Sequence, residues 1–271
     1  MVAGKNSSSG RALSALVDDL QAGGRYTFDR SEAIDALRVD LVSLKRAMMR
    51  LGTKKRIVAP RRGFYVIVPL EYRATGAPPP SWFIDDLMRY LGRPYYVGVL
   101  SAAALHGAGH QQPQEFQVVT DIPQRPVLAG RARTRFLVKK NIARTPTVAV
   151  RTETGTMQVS TPEGTAIDLL RYVSAAGGLS NIAVVLAELA ERTDGRRLVD
   201  AAEIDGELAN AQRLGYLLDH IGAGSQASPL ADWLDKKKPR AAPLKSGKAV
   251  KGYPVNRRWK VIVNEEIEVN L

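Results

Sequence analysis

The side chains with the clearest chemistry are cations set at helical spacing. Between Leu41 and Leu51, the residues Ser43, Lys45, Arg46 and Arg50 fall mostly on one side, while Leu41, Leu44, Met48 and Leu51 share the other. Lys54, Lys55 and Arg56 follow directly, and Arg61 and Arg62 stand between two β-rich runs. From Arg38 to Arg62 there are nine Lys/Arg and one acid, Asp40. Cations at this density neutralise closely spaced phosphates and release the counterions condensed on them. A helix that carries them fits the DNA major groove, where base edges are distinguishable. Lys45, Arg46 and Arg50 are thus candidates to enter or flank that groove, Ser43 to meet a base edge or phosphate, and Arg61 and Arg62 to reach phosphates or the minor groove. The alternative meaning of such a run is a solvated basic face on a helical subdomain.

A second block, Arg125 to Arg151, holds eight Lys/Arg and no acid. Alternation puts Arg131, Arg133 and Arg135 on one face of a strand, with Lys139, Lys140 and Arg144 following. They form a second basic surface that extends a DNA footprint, meets an acidic protein or RNA, or keeps a sheet face soluble. Lys236 to Lys238 and Arg257–Arg258 read mainly as solubilising charge.

Other candidate chemistry is thin. His106 and His110 stand four residues apart, a zinc-compatible spacing on a helix, but Gly107 and Gly109 interrupt that helix and no third ligand is near. His220 is isolated. Asp85–Asp86 reads as a solvated pair rather than a metal site. There is no Gly-rich phosphate loop with Lys-Ser/Thr and no Gly-x-Ser-x-Gly elbow. The sequence therefore predicts no catalytic residues, no metal and no cofactor, and the protein is read as a non-enzyme.

The elements that must position the first block follow from the same residues. Leu13, Leu16, Val17 and Leu20 mark a helix over Arg11–Gln21 after a loose Gly/Ser-rich start. Tyr26–Phe28 is β-like, and Asp29-Arg30-Ser31-Glu32 caps a second helix through Leu37. Leu41–Leu51 is the third helix, and Ile57 to Val68 is a hairpin with Pro-Arg-Arg-Gly at its tip. Helix, strand, helix, helix, hairpin is the order of a winged helix-turn-helix, assigned to residues 10–75.

Gly76 to Pro80 disfavours a helix and marks a boundary. Residues 81–271 form the second domain. Within it, 81–178 is mixed, with helices at Trp82–Leu91 and Val97–Leu105, strands at 116–120, 134–138, 148–150 and 157–160, and a helix capped by Thr161-Pro162. Residues 179–225 are helical, in pieces 180–192, 198–212 and 214–220. Residues 226–256 are a basic loop, mobile from Asp232 to Lys251, and 257–271 carry terminal strands. The fold class is α+β.

The formal charge of +12 over 271 residues points to a polyanionic partner. The absence of cysteine fits a reducing compartment, and with no signal-like or membrane-spanning apolar run the cytoplasm is the expected location, with no membrane partner.

With this order laid out, the chain resembles the AbiEi family, the antitoxins of bacterial type IV (AbiE-type) toxin–antitoxin systems of abortive infection and phage defence. The resemblance rests on Arg61 to Val66 (RRGFYV), Tyr96 to Gly107 (YVGVLSAAALHG), Gln114 to Thr120 (QEFQVVT) and Thr161 to Leu170 (TPEGTAIDLL), and spans roughly residues 10 to 220. It implies a transcriptional autorepressor that binds promoter inverted repeats as double-stranded operator DNA. It also implies a C-terminal region that counters a nucleotidyltransferase-like AbiEii toxin without forming a stable complex. Gly164 departs from the family pattern, which usually has a basic residue there. A nucleic-acid-processing enzyme and a basic protein-interaction module are the alternatives.

Overall fold

The computed structural model describes residues 3–109 and 113–268, with side chains from Ala12 onward. His110, half of the histidine pair, lies outside the described residues. The fold is mixed α+β. The chain forms two compact units. One runs to Tyr95 and takes in Pro123–Phe136 and Ala149–Met157; the other comprises Tyr96–Ile122, Leu137–Val148 and Gln158 onward.

The first unit begins with α1 (Ala3–Ala22), β1 (Thr27–Asp29), α2 (Arg30–Leu37), α3 (Leu41–Thr53), β2 (Ile57–Arg61) and β3 (Phe64–Ile67). α1 starts at Ala3 rather than Arg11, so the Gly/Ser-rich start is helical and not loose. Caps set the other boundaries. The Asp29 carboxylate accepts from the Glu32 N–H at 3.0 Å to open α2, and Asp40 accepts from the N–H groups of Val42 and Ser43 at 2.9 Å to open α3. The strands form an antiparallel sheet in the order β1-β3-β2, with Phe28 opposite Tyr65 and their rings stacked. Leu13, Val17, Phe28, Ala33, Leu44, Ala47, Met48, Leu51, Ile57 and Ile67 bury together as the core beneath them.

The first unit continues past the proline segment into α4 (Ile84–Leu91), so Gly76 to Pro80 does not end it. The Arg131 N–H donates to the Thr75 carbonyl at 2.9 Å. Gly130, at φ +55°, packs so closely on this segment that a Cβ would lie 2.2 Å from the Thr75 oxygen. A glycine is therefore required there, and local sequence signals could not show that pairing.

The remaining elements are β4 (Tyr95–Val97), α5 (Val99–Leu105), β5 (Phe116–Thr120), β6 (Val127–Ala129), β7 (Ala132–Val138), β8 (Thr147–Thr152), β9 (Gly155–Ser160), α6 (Pro162–Arg171), α7 (Leu179–Leu189), α8 (Gly195–Asp205), α9 (Leu208–His220), α10 (Gly224–Lys237), β10 (Ala242–Pro243), β11 (Val255–Asn256) and β12 (Val261–Ile262). One sheet has the order β6-β7-β5-β4-β9-β8, and a small one has β10-β12-β11.

Three expectations need correction. Val97 ends a strand that pairs in parallel with β9 at Val159, so the helix expected from Val97 begins only after Gly98. The helical pieces divide at Gly206, a left-handed α8 terminus at φ +76°, and not between Gln212 and Leu214, which lie inside α9. Residues 226–256 are not one basic loop: α10 occupies them to Lys237, its Ala227, Leu230 and Leu234 buried in the core of the second unit. The terminal strands are correspondingly short, β11 beginning at Val255 and β12 ending at Ile262.

Candidate nucleic-acid interface

Leu44, Ala47, Met48 and Leu51 turn the inner face of α3 to the core, which leaves Lys45, Arg46 and Arg50 exposed on the other. Lys54 and Lys55 are exposed just beyond it. Ser43 is partly committed: its hydroxyl donates to the Asp40 carboxylate at 2.7 Å. These bonds, the backbone N–H of Ser43 first, hold the Asp40 carboxyl below its usual range, so the cap stays ionised at neutral pH.

The hairpin tip is fixed from outside. The Tyr90 hydroxyl donates to the Arg62 carbonyl at 3.0 Å, and the Arg30 N–H donates to the Gly63 carbonyl at 2.8 Å. Gly63 sits at φ +87° against the Tyr90 hydroxyl. Arg62 is exposed on this clamped turn. Between α3 and the hairpin lies a cleft of about 430 Å³ lined by Arg30, Leu41, Leu44, Lys45, Met48, Arg62 and Tyr65. It brings Lys45 and Arg62 to one place, and adds Arg30, which sequence reasoning treated only as part of a helix cap.

Two predicted contacts are engaged elsewhere. The Arg56 guanidinium donates to the Ser14 hydroxyl at 2.6 Å and pairs with Asp18, tying β2 to α1. Arg61 donates to the carbonyls of Arg125 and Pro126, and its burial lowers its affinity for the proton. Arg56→Ala is expected to lower the stability of the protein by about 1 kcal/mol, a part-exposed charge-assisted pair discounted for solvent screening. Thermal melts and salt titrations on duplex DNA check this. An unchanged midpoint with a shallower salt dependence would instead make Arg56 a phosphate contact.

The second basic block is divided. Arg131, Arg133 and Arg135 belong to the first unit, but Arg131 stands in the turn before β7, and only Arg133 and Arg135 take the face of β7 opposite the buried Thr134 and Phe136. Lys140 is exposed in the second unit. Lys139 is not a surface residue: it is 5% exposed, and its ammonium lies 2.9 Å from Asp168 and 3.6 Å from Asp205. The Tyr96 hydroxyl donates to Asp168 at 2.7 Å, the Arg171 Nε donates to Asp205 at 2.8 Å, and the Asn210 amide donates to Asp205 at 3.0 Å. Burial pushes the Asp168 carboxyl up, against the pull of Lys139 and Tyr96, and pushes the Tyr96 phenol far above its ordinary range.

The remaining candidates resolve structurally. Asp85 and Asp86 are both paired with Arg89 and accept from Tyr95 and Thr27 respectively. His106 donates from Nε2 to the Ser160 carbonyl at 2.7 Å. Arg258 pairs with Asp219 at 2.9 Å. Among the described residues no group of three or more His, Cys, Asp or Glu converges to hold a metal, and no helix is long and apolar enough to cross a membrane.

The fold is similar to the crystal structure of the RV2827C protein from Mycobacterium tuberculosis, with a TM-score of 0.65, 16% sequence identity and coverage of 92% of this chain and 89% of that one. No curated protein matches the chain. The family model of the AbiEi antitoxin C-terminal domain matches residues 96–220, the stretch containing Tyr96, Lys139, Asp168 and Asp205. Over that stretch, less than half of the 271 residues, the chain is similar to the AbiEi antitoxins.

Proposed function

We propose that the chain is the antitoxin and transcriptional autorepressor of a toxin–antitoxin operon. In this reading α1 to α3 and the three-stranded sheet are a winged helix-turn-helix that binds inverted repeats in the operon's own promoter. α3 enters the major groove, with Lys45, Arg46 and Arg50 at base edges and phosphates, and Lys54 and Lys55 follow on the backbone. Arg62 on the clamped hairpin tip is the wing contact. Arg131 and Arg133, exposed in the same unit, add phosphate contacts. The similarity to the AbiEi antitoxin C-terminal domain supports a cognate AbiEii toxin, which the second unit is proposed to counter without a lasting complex. The observation that carries the reading is the cleft where Lys45 of α3 and Arg62 of the hairpin meet.

Anisotropy titration on the chain's own upstream region against scrambled duplex, at fixed salt, tests it. The double variant Arg46→Ala/Arg50→Ala is expected to weaken specific binding by about 1–3 kcal/mol per base-reading arginine. Lys54→Ala/Lys55→Ala should weaken both duplexes alike and lower the salt slope by about two. Equal, weak binding to both duplexes that neither variant changes would sink the operator reading.

A further inference from the structure

We infer that α3 selects its DNA site through thymine methyl groups contacted by Val42 and Met49. The inference rests on the reading of α3 as the helix that enters the major groove.

Val42 is 60% exposed and Met49 is 67% exposed. The core contacts of α3 are supplied by Leu44, Ala47, Met48 and Leu51, so these two side chains are not needed for packing. Residues 42, 45, 46 and 49 follow the i, i+3, i+4, i+7 pattern and share one face. That face therefore reads Val, Lys, Arg, Met: two apolar groups with two cations between them. An exposed apolar residue alone needs no explanation, but this interleaving does.

A ligand complementary to the face must be anionic around its rim and offer small apolar groups on its floor. The major groove does both, with phosphates along its edges and the thymine C5-methyl among the groups its base pairs present there. Lys45 and Arg46 lie between the apolar pair, at the place for phosphate or guanine contacts. Methionine, unbranched and polarisable, adapts to such a surface. Seven residues of helix rise about 10 Å, or about three base-pair steps at about 3.4 Å each. The two methyl contacts therefore fall about three base pairs apart in each half-site.

The test begins by selecting the tightest duplex from a random-sequence pool with the full chain. Each thymine of that duplex is then replaced singly by deoxyuridine, which pairs as thymine does but lacks the methyl, and binding is followed by anisotropy at fixed salt. Two positions about three base pairs apart should weaken about fourfold each, the effect of losing one buried methyl. Val42→Ala should abolish the sensitivity at one of them and Met49→Ala at the other, with melting curves like that of the parent. A silent uracil scan, or one the variants leave unchanged, overturns the inference while leaving the DNA reading intact if Arg46→Ala/Arg50→Ala still loses the site. Failure to select any duplex overturns both. A change in the sedimentation of the free chain in Val42→Ala or Met49→Ala would make this face a contact between copies and would also overturn it.

Discussion

Lys139→Met is expected to destabilise the protein by about 3–5 kcal/mol at neutral pH, the cost of removing one partner from a buried ion pair. Lys139 and Asp168 have side chains 5% and 0% exposed and meet at 2.9 Å. Without the ammonium, Asp168 keeps the Tyr96 hydroxyl but is left with the like charge of Asp205, which disfavours its ionised form. Asp168→Asn is the milder change, because Lys139 still has Asp205 at 3.6 Å and the amide preserves the shape.

The loss in Lys139→Met should depend on pH. Burial already raises the Asp168 carboxyl above its unfolded value, and Lys139 is the strongest opposing influence. Removing it raises the folded carboxyl further. A folded pKa above the unfolded one means that stability is fully kept below the unfolded value and is lost as pH climbs through the folded one. The deficit relative to the parent is thus smaller in acid than at neutral pH. Urea denaturation of both proteins across that range measures it. A deficit that stays constant with pH, or one below about 1 kcal/mol, would show that the cluster does not hold Asp168 as a charged partner of Lys139.

That cluster also marks where sequence reading stopped. The order from α1 to β3 was legible because each element there is amphipathic or capped by neighbours in sequence: Asp29 and Asp40 act within three residues of themselves. The exposed cations of α3 were legible for the same reason, since helical spacing alone separates Lys45 and Arg46 from Leu44 and Met48. Lys139 was not, because the acids that draw it inside stand on α6 and α8, far along the chain. Its own segment, Arg131 to Arg144, contains only basic charge and reads as a surface. Arg56 and Arg61 failed in the same way: each sits in the right run, yet is held by α1 or by a backbone carbonyl over sixty residues away. Local pattern reveals which residues are cations; long-range pairing decides which of them remain available to a ligand.

The same long-range logic gives the second large effect, on the far side of the family match. Trp259 is 1% exposed and lies beyond residue 220, where the match ends, yet it packs into α9 at Gly215. A Cβ there would stand 2.0 Å from the indole Cζ3. The indole N–H donates to Asp219 at 2.6 Å, and the Gln212 amide donates to the Trp259 and Lys260 carbonyls at 3.1 Å. Trp259→Ala is therefore expected to cost about 3–5 kcal/mol. Gly215→Ala sets two effects against each other. Alanine favours the helix by about 1 kcal/mol, but overpacking against a fixed ring costs about 1–3 kcal/mol or more. A collision this close puts the outcome on the destabilising side. Denaturation followed by circular dichroism checks both variants, and a Gly215→Ala protein as stable as the parent would mean that Trp259 is not seated on α9. Because the cations proposed to contact DNA belong to the first unit, the proposed function predicts that both variants keep operator affinity under conditions where they remain folded.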